Sequence, residues 1–165
     1  MSTGTNQKQA SVSVEVAASP EIVWSVVSDL GRMGEWSPET CKVQWKGGAP
    51  GAGGPAVGAT FKGTNRIGLR RWSTKGTVVA AEANHRLAWD VASLGLPIAR
   101  WTYTIEPTET GARLTESFED KRGALLHVVG PLVTGVKDRC PHNQVNMKTT
   151  LERMKAAAEA RAVQA

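Results

Sequence analysis

The chain has 165 residues, of which 41% are hydrophobic and 21% are charged, and its formal net charge is +5. This length fits one domain, and the composition is typical of a globular protein rather than a disordered or fibrous one. Because the 20 Lys and Arg residues form no stripe with interleaved aromatic residues, we expect no nucleic-acid partner. The two cysteines, Cys41 and Cys140, form no CxxC motif, so they indicate neither a zinc site nor a redox site.

The N-terminal segment MSTGTNQKQ is polar, which predicts a disordered tail over residues 1–9 before a single domain over residues 10–160. This segment lacks the apolar stretch of a secretory signal. No run of about 18 apolar residues occurs, so we expect no stable membrane insertion. These features together predict a cytoplasmic protein, and they leave the oligomeric state open.

The first elements are predicted to be a strand followed by two short helices. In SVSVEVA (11–17) valines alternate with polar residues, which predicts a half-buried strand. Ser19 and Pro20 suit the cap and the first position of a helix that we expect over 20–29. A short second helix is expected over 32–36, before a proline.

Six further stretches have the alternation typical of strands. They cover residues 40–46, 59–67, 70–81, 85–92, 98–106 and 112–119. Short turns with Gly, Asn or Pro separate the last five of them, a spacing typical of an antiparallel meander. The Gly-rich segment 47–58 predicts a flexible turn region and not a phosphate-binding loop, because no GKS or GKT follows it.

The C-terminal part contains one ambiguous segment and one clear helix. Residues 120–137 are apolar but are interrupted by glycines and a proline, which leaves a short irregular helix and a flexible flap as alternatives. Residues 143–162 form an amphipathic pattern in which Met147, Leu151 and Met154 recur at helical spacing. Helices gathered on one face of an antiparallel sheet define the α+β class.

Two stretches of the chain resemble a known superfamily. SVEVAASPEIVWSVVSDLGRMGEWSPE (13–39) and ARWTYTIEPTETGARLTESFE (99–119) resemble the polyketide cyclase/dehydrase branch of the START-like (SRPBCC, helix-grip) superfamily. The resemblance covers nearly all of residues 10–160 and departs from the family in the Gly-rich segment 47–58.

The resemblance implies a helix-grip fold. In this fold a curved seven-stranded antiparallel sheet wraps around a long C-terminal helix, two short helices follow the first strand, and a deep cavity separates sheet and long helix. It also implies an apolar or mixed-character small-molecule ligand and no obligatory metal or cofactor. Trp36 ends the second short helix. Its ring either covers the cavity entrance or fills the junction between that helix and the next strand.

Strand parity identifies Glu116 as the sharpest chemical candidate. Leu114, Glu116 and Phe118 share one face, and the two apolar residues indicate that this face points inward. A carboxyl group in an apolar cavity has a raised pKa unless a cation pairs with it. We therefore consider Glu116 and His127, which lies in the possible flap, as catalytic acid–base candidates. The alternative for Glu116 is a rim or salt-bridged structural residue.

The candidate ligand-binding residues lie on the predicted inner faces of the strands, on the long helix and at the second short helix. They are Trp36, Asn65, Trp89, Trp101, Tyr103, Phe118, Asn143, Met147 and Met154. Asn65 offers a donor and an acceptor to a ligand, or it satisfies a neighbouring backbone group. The aromatic residues and the methionines either contact a ligand or form ordinary core.

Three functions are compatible with these patterns. The first is binding of a small hydrophobic, aromatic or lipid-like molecule in the cavity. The second is a cyclase/dehydrase-like enzyme that uses acid–base residues of the cavity. The third, a protein-interaction module, has no specific support. Neither a catalytic triad nor a closely spaced metal-ligand set occurs in the sequence, so we predict no metal site.

Overall fold

The computed structural model describes residues 8–51 and 53–165. Its elements are β1 (Gln9–Val16), α1 (Pro20–Val27), a 3-10 turn (Leu30–Arg32), α2 (Met33–Trp36), β2 (Thr40–Trp45), β3 (Thr60–Ile67), β4 (Arg70–Glu82), β5 (Arg86–Ser93), β6 (Leu96–Thr108), β7 (Gly111–Asp120), α3 (Ala124–Thr134) and α4 (Arg139–Gln164). The predicted disordered tail covers residues 1–9. Residues 1–7 of it lie outside the described residues, and β1 begins at Gln9.

The seven strands form one sheet in the order β1-β7-β6-β5-β4-β3-β2. All neighbouring strands are antiparallel, and the first strand closes against the last. Register shifts with an extra residue in β2, β4 and β6 mark irregularities of the kind that bend a strand. The predicted curved seven-stranded sheet and the α+β helix-grip class are therefore confirmed.

The two short helices after β1 are held by local sequence features. Ser19 caps α1 by accepting a hydrogen bond from the Ile22 N–H at 3.4 Å, and Pro20 occupies the first turn. In α2, a Cβ on Gly34 would lie 2.3 Å from the Cys41 carbonyl oxygen. Only glycine allows the backbones of α2 and β2 to approach so closely.

The long helix α4 begins at Arg139, four residues before the start expected from the sequence. The Asp138 carboxylate caps it by accepting a hydrogen bond from the Cys140 N–H at 3.3 Å. Pro141 lies in the first turn, where a missing N–H costs no intrahelical bond. The predicted apolar face is confirmed, since Met147, Leu151 and Met154 are each 1% exposed or less; α4 packs against β1, α1, β7 and α2.

The ambiguous segment contains a helix, α3, in spite of Pro131 inside it. The helix ends at Gly135, whose φ of 77° is left-handed and whose N–H donates to the Pro131 carbonyl at 2.8 Å. Its main contact is with β4. Of the two alternatives, the structure has the helix.

The buried apolar residues form two clusters. The larger one joins α1, α2, the C-terminal part of α4 and the sheet, and the smaller one joins Ala10, Ala99, Phe118, Cys140 and Met147. Within residues 8–51 and 53–165, none of the helices combines the length and the apolar run that a membrane crossing needs.

Candidate functional site

A cavity of about 280 Å³ lies between the inner face of the sheet, α3 and the N-terminal half of α4. Most of its wall is apolar, because the inward positions of β4 to β7 carry aromatic and aliphatic side chains and α3 adds more aliphatic ones. Together with Met33 on α2, Leu94 in the turn between β5 and β6 and Met147 on α4, these residues are Trp72, Trp89, Val91, Leu96, Ile98, Trp101, Phe118, Leu126, Val129 and Val133. Such a space favours an apolar ligand.

Two aromatic pairs form the flat part of the wall. Trp89 on β5 stacks on Tyr103 on β6, with ring centroids 5.6 Å apart and an interplanar angle of 24°. Trp101 on β6 lies against Phe118 on β7, with centroids 5.0 Å apart. The strand register produces this arrangement. Trp89 is paired with Trp101, Tyr103 lies two residues further along β6 on the same face, and Trp101 is paired with Phe118. The wall therefore offers a broad surface to a planar or aliphatic ligand.

Glu116 on β7 is a buried carboxyl group that no cation pairs with in the described part of the chain. The Tyr103 hydroxyl donates to Glu116 Oε1 at 2.8 Å, and Glu116 Oε2 is buried with no hydrogen-bond partner among residues 8–51 and 53–165. Burial raises the pKa of Glu116 to about 8, although the hydrogen bond from Tyr103 acts in the opposite direction. Glu116 is therefore mostly protonated at neutral pH.

The same pair changes the acidity of the tyrosine. Burial, and then the charge and hydrogen bond of Glu116, raise the pKa of Tyr103 well above its usual value of 10. Both groups therefore hold their protons at neutral pH. The pair presents a neutral polar spot in an apolar wall, and its protons are available to a ligand carbonyl if Glu116 reorients.

Two buried amides on the cavity wall have different surroundings. Asn65 Oδ1 accepts from the Thr40 hydroxyl at 3.0 Å, and Asn65 Nδ2 donates to Thr74 Oγ1 at 3.3 Å. Asn143 on α4 is 4% exposed and makes no side-chain hydrogen bond within the described residues. Asn65 is thus mainly structural, whereas Asn143 has free capacity for a ligand.

A polar cluster joins the start of β2 to the start of α4 at one end of the cavity. The Glu39 carboxylate accepts from Arg139 Nη1 at 2.9 Å and Asn146 Nδ2 at 3.3 Å, and it lies 3.0 Å from His142 Nε2. The Arg139 guanidinium also lies over the Trp72 ring, 5.5 Å from its centroid. This cluster holds α4 against the sheet and places polar atoms of Glu39, Arg139 and Asn146 on the wall.

A second ion pair lies at the end of β7. The Arg122 guanidinium donates through Nε and Nη2 to the Asp120 carboxylate, with a shortest distance of 2.6 Å. Burial would raise the pKa of Asp120, but the hydrogen bonds and the charge of Arg122 hold it below its usual value. Arg122 lines the cavity, yet its charge is already paired.

Most of the residues singled out from the sequence lie together around the cavity. Those on its wall are Asn65, Trp89, Trp101, Tyr103, Glu116, Phe118, Asn143 and Met147. Strand alternation predicted that the Glu116 side chain points inward. In the structure this side chain lies on the inner face, and the residue is only 4% exposed.

Trp36, Met154 and His127 do not line the cavity. Trp36 is 3% exposed in the larger core cluster, and its carbonyl accepts from Arg153 Nη1 at 3.2 Å, so it fills the junction behind α2. Met154 lies two turns beyond Met147 on α4 and packs in the same cluster. His127 is half-buried on α3 but lies off the cavity-facing side of that helix.

Sequence reasoning missed several polar wall residues. Glu39, Arg139 and Asn146 meet only because the first turns of α4 pack against the start of β2, a tertiary contact that carries no local signal. Arg122 was missed for a similar reason. Thr74 lies two residues after Trp72 on β4, so strand alternation puts both on one face, which is a usable sequence signal.

Comparison with known proteins identifies the family of this fold. The family described as "Polyketide cyclase / dehydrase and lipid transport" matches residues 7–159. The Polyketide_cyc-like protein Cgl2372 from Corynebacterium glutamicum is 30% identical, with a TM-score of 0.57, and the match covers 94% of this chain and 92% of that one. No curated protein matches this chain.

Two di-domain ARO/CYC proteins share the fold at lower identity. StfQ, from the steffimycin biosynthetic pathway, is 15% identical with a TM-score of 0.71, and the match covers 94% of this chain and 52% of that one. BexL, from the BE-7585A biosynthetic pathway, is 15% identical with a TM-score of 0.65, and the match covers 96% and 52%. This chain thus spans about half the length of either protein, and the likeness concerns the fold alone. With the family match over residues 7–159, the chain belongs to the polyketide cyclase/dehydrase and lipid transport family.

Proposed function

We propose that this protein binds a small, mostly apolar molecule with an aromatic or lipid-like body in the cavity between the sheet and α4. The observation that carries the proposal is the cavity of about 280 Å³, whose wall combines aromatic faces with few free polar groups. This volume is near the lower end of the ~300–1,000 Å³ that small-molecule pockets commonly have. The resulting expectation is one small ligand with few polar atoms.

The polar groups of the wall restrict the ligand further. Arg122, Arg139 and Glu39 are engaged in ion pairs, so they leave no free charge to recognise a charged ligand. Asn143, the Ser93 hydroxyl and the neutral Glu116–Tyr103 pair are groups of the wall able to bind a carbonyl or hydroxyl. The preferred ligand is therefore uncharged and carries one or two such oxygens.

Blocking the cavity mouth tests this proposal. Ser93, at the end of β5, is half-buried and lines the cavity, whereas Ser73 lies exposed on the outer face of β4. Ligands of the native state raise stability by RT ln(1 + [L]/Kd), about 2.7 kcal/mol at a hundredfold excess over Kd. A panel of lipids and aromatic polyketides is first screened for a compound that stabilises the wild type. The stabilisation by that compound should disappear in Ser93→Trp and persist in Ser73→Trp. Equal stabilisation of both variants would place the ligand elsewhere, and native mass spectrometry of the purified protein would identify a ligand already bound.

A second candidate is an acid–base enzyme of the cyclase/dehydrase type. The buried Glu116–Tyr103 pair favours it, because a protonated carboxyl at neutral pH is able to act as a general acid toward a carbonyl of the substrate. The fold shared with ARO/CYC proteins is consistent with it. Positioning of a flexible substrate by the cavity would supply much of the remaining rate enhancement.

The two candidates differ in the effect of removing the acid. For an enzyme, Glu116→Gln should abolish turnover of a poly-β-ketone analogue while the analogue still stabilises the protein, and Tyr103→Phe should reduce turnover less. For a binding protein, no turnover accompanies binding in either the wild type or the variants. Wild-type turnover that survives Glu116→Gln unchanged would remove Glu116 from the mechanism.

A further inference from the structure

The helix α3 is apolar on two adjoining sides, which lie about 100° apart around its axis. Its inner side, which includes Leu126 and Val129, lines the cavity. On its outer side Leu125, Val128 and Leu132 recur at i, i+3 and i+7 and are 63%, 70% and 73% exposed. A helix with one buried side normally turns polar residues to solvent. The outer apolar side of α3 is therefore unexplained by the fold.

Two turns extend this apolar surface. Leu69, between β3 and β4, and Leu94, between β5 and β6, are both fully exposed. Arg70 adjoins Leu69 and donates to the Leu132 carbonyl, which places the first turn beside the end of α3. Leu94 lines the cavity mouth opposite the inner side of α3. Five residues, Leu69, Leu94, Leu125, Val128 and Leu132, thus form what we call the rim surface.

The charges beside the rim surface are positive. Arg70, Arg71 and Lys137 are exposed and form no ion pair within the described part of the chain. Asp138 follows Lys137 and caps α4, so its one negative charge lies beside the three positive charges and the local charge remains positive. A second copy of the chain placed on this surface would bring the same cations together. An anionic lipid surface would neutralise them and cover the leucines at the same time.

We propose that the rim surface docks peripherally on an anionic lipid bilayer, with the cavity mouth turned toward the lipid. Leucine side chains at separate turns and on a short helix reach the acyl region, while the arginines and the lysine contact the headgroups. In this orientation an apolar ligand passes between bilayer and cavity without crossing water. The docking goes beyond ligand binding and does not depend on it.

Vesicle co-sedimentation tests the apolar part of the surface. The probe is phosphatidylcholine vesicles with or without phosphatidylglycerol, and the variant is Leu69→Gln, Leu125→Gln and Leu132→Gln combined. None of these three residues lines the cavity, and glutamine keeps both helix propensity and charge. We expect the wild type to bind the anionic vesicles and the triple variant to bind about tenfold more weakly. Val163→Gln, an equally exposed site near the end of α4, should bind like the wild type.

The charge contribution is tested separately. Arg71→Gln combined with Lys137→Gln should weaken binding to the anionic vesicles, as should added salt, whereas Lys148→Gln on the exposed side of α4 should have no effect. Thermal unfolding checks that each variant is folded. If the triple variant is not folded, Leu69→Gln alone, at an exposed turn, should still reduce binding.

Three results would overturn the proposal. They are wild-type protein that binds neither vesicle, rim-surface variants that bind as well as the wild type, and a wild-type dimer that the triple variant dissociates. The last result would assign the surface to a second copy. Vesicle binding is measured on ligand-free protein. The test of membrane docking therefore remains valid even if the cavity takes up no ligand.

Discussion

Glu116 is the one carboxyl group in the described chain whose pKa burial raises this far. Its Oε1 accepts from the Tyr103 hydroxyl, whereas its Oε2 is buried and has no partner among the residues that the structure describes. Such a group costs stability, because an unsatisfied buried polar atom loses its hydration without compensation. A protein that keeps this cost in the wall of its cavity has the arrangement often found at binding or catalytic sites.

The raised pKa predicts how stability changes with pH. In the unfolded chain Glu116 ionises near pH 4.5, whereas in the folded protein it stays protonated up to about pH 8. Between these values the unfolded state binds fewer protons. The contribution of Glu116 to the free energy of unfolding therefore falls by about 1.4 kcal/mol per pH unit as the pH rises.

The change Glu116→Gln should remove this slope. Urea unfolding of the wild type and the variant at several pH values between 4.5 and 8 measures the difference, and the variant should gain stability over the wild type toward pH 8. Glu109→Gln, at the exposed turn between β6 and β7, is the matched control and should keep the wild-type slope. Parallel curves for wild type and Glu116→Gln would show that Glu116 titrates normally.

The helix α4 contributes both to the core and to the cavity wall, so its start is a sensitive point. Asp138 caps it immediately after the connection from α3, and Arg139 binds Glu39 on the other side. Removing an N-cap side chain costs roughly 1 kcal/mol. The cap also fixes the first turn, which carries polar atoms of the wall.

We expect Asp138→Ala to lower the free energy of unfolding by roughly 1 kcal/mol. Asp138→Asn keeps an oxygen that accepts from the Cys140 N–H, so it should remain close to the wild type. Chemical denaturation of the three proteins at neutral pH measures both effects. An equal loss in both variants would assign the effect to charge rather than to the cap.

The strands were predictable because their inner and outer faces alternate, and this alternation also identified Asn65, Tyr103 and Glu116 as inward residues. The start of α4 was placed too late, because Pro141 suggests a helix boundary although it is tolerated in a first turn. The sequence could not decide between a helix and a flap for residues 120–137, because Pro131 argues against a helix. The contacts of α3 with β4, which stabilise the helix, have no local sequence signal.

Helical spacing identifies the inward side of a helix but not what that side contacts. Met147 and Met154 have the same periodicity on α4, yet Met147 reaches the cavity and Met154 only the core. For Trp36, local sequence left both the entrance and the junction open. Only the packing of α2 against β2 and α4 decides between them.

The protein as a single folded unit keeps an internal space at a cost in stability. Its sheet closes tightly around the C-terminal part of α4, whereas the N-terminal half of the helix leaves the cavity between α3 and the aromatic wall. Filling or smoothing such a space commonly raises stability and lowers function. Asn143 is 4% exposed and makes no side-chain hydrogen bond within the described residues. A substitution at this residue is therefore the clearest test of the trade-off between stability and ligand binding.

We predict that Asn143→Leu raises the free energy of unfolding by about 1 kcal/mol, because it replaces an amide that makes no side-chain hydrogen bond within the described residues by an apolar side chain that packs against the apolar wall. The same change should weaken the binding of a ligand that carries a carbonyl or hydroxyl. Asn65→Leu is the contrasting variant, since it leaves Thr40 and Thr74 without their partner and should destabilise the protein. Thermal unfolding with and without ligand measures both quantities, and a destabilised Asn143→Leu would show that the amide has an essential partner.

The distribution of tryptophans has a practical consequence. Trp72, Trp89 and Trp101 line the cavity, whereas Trp24, Trp36 and Trp45 do not. A conjugated molecule that enters the cavity will quench the emission of the first three indoles most strongly, because they lie nearest to it. The protein therefore carries its own fluorescent reporter of occupancy, and an unlabelled sample is enough for an optical titration.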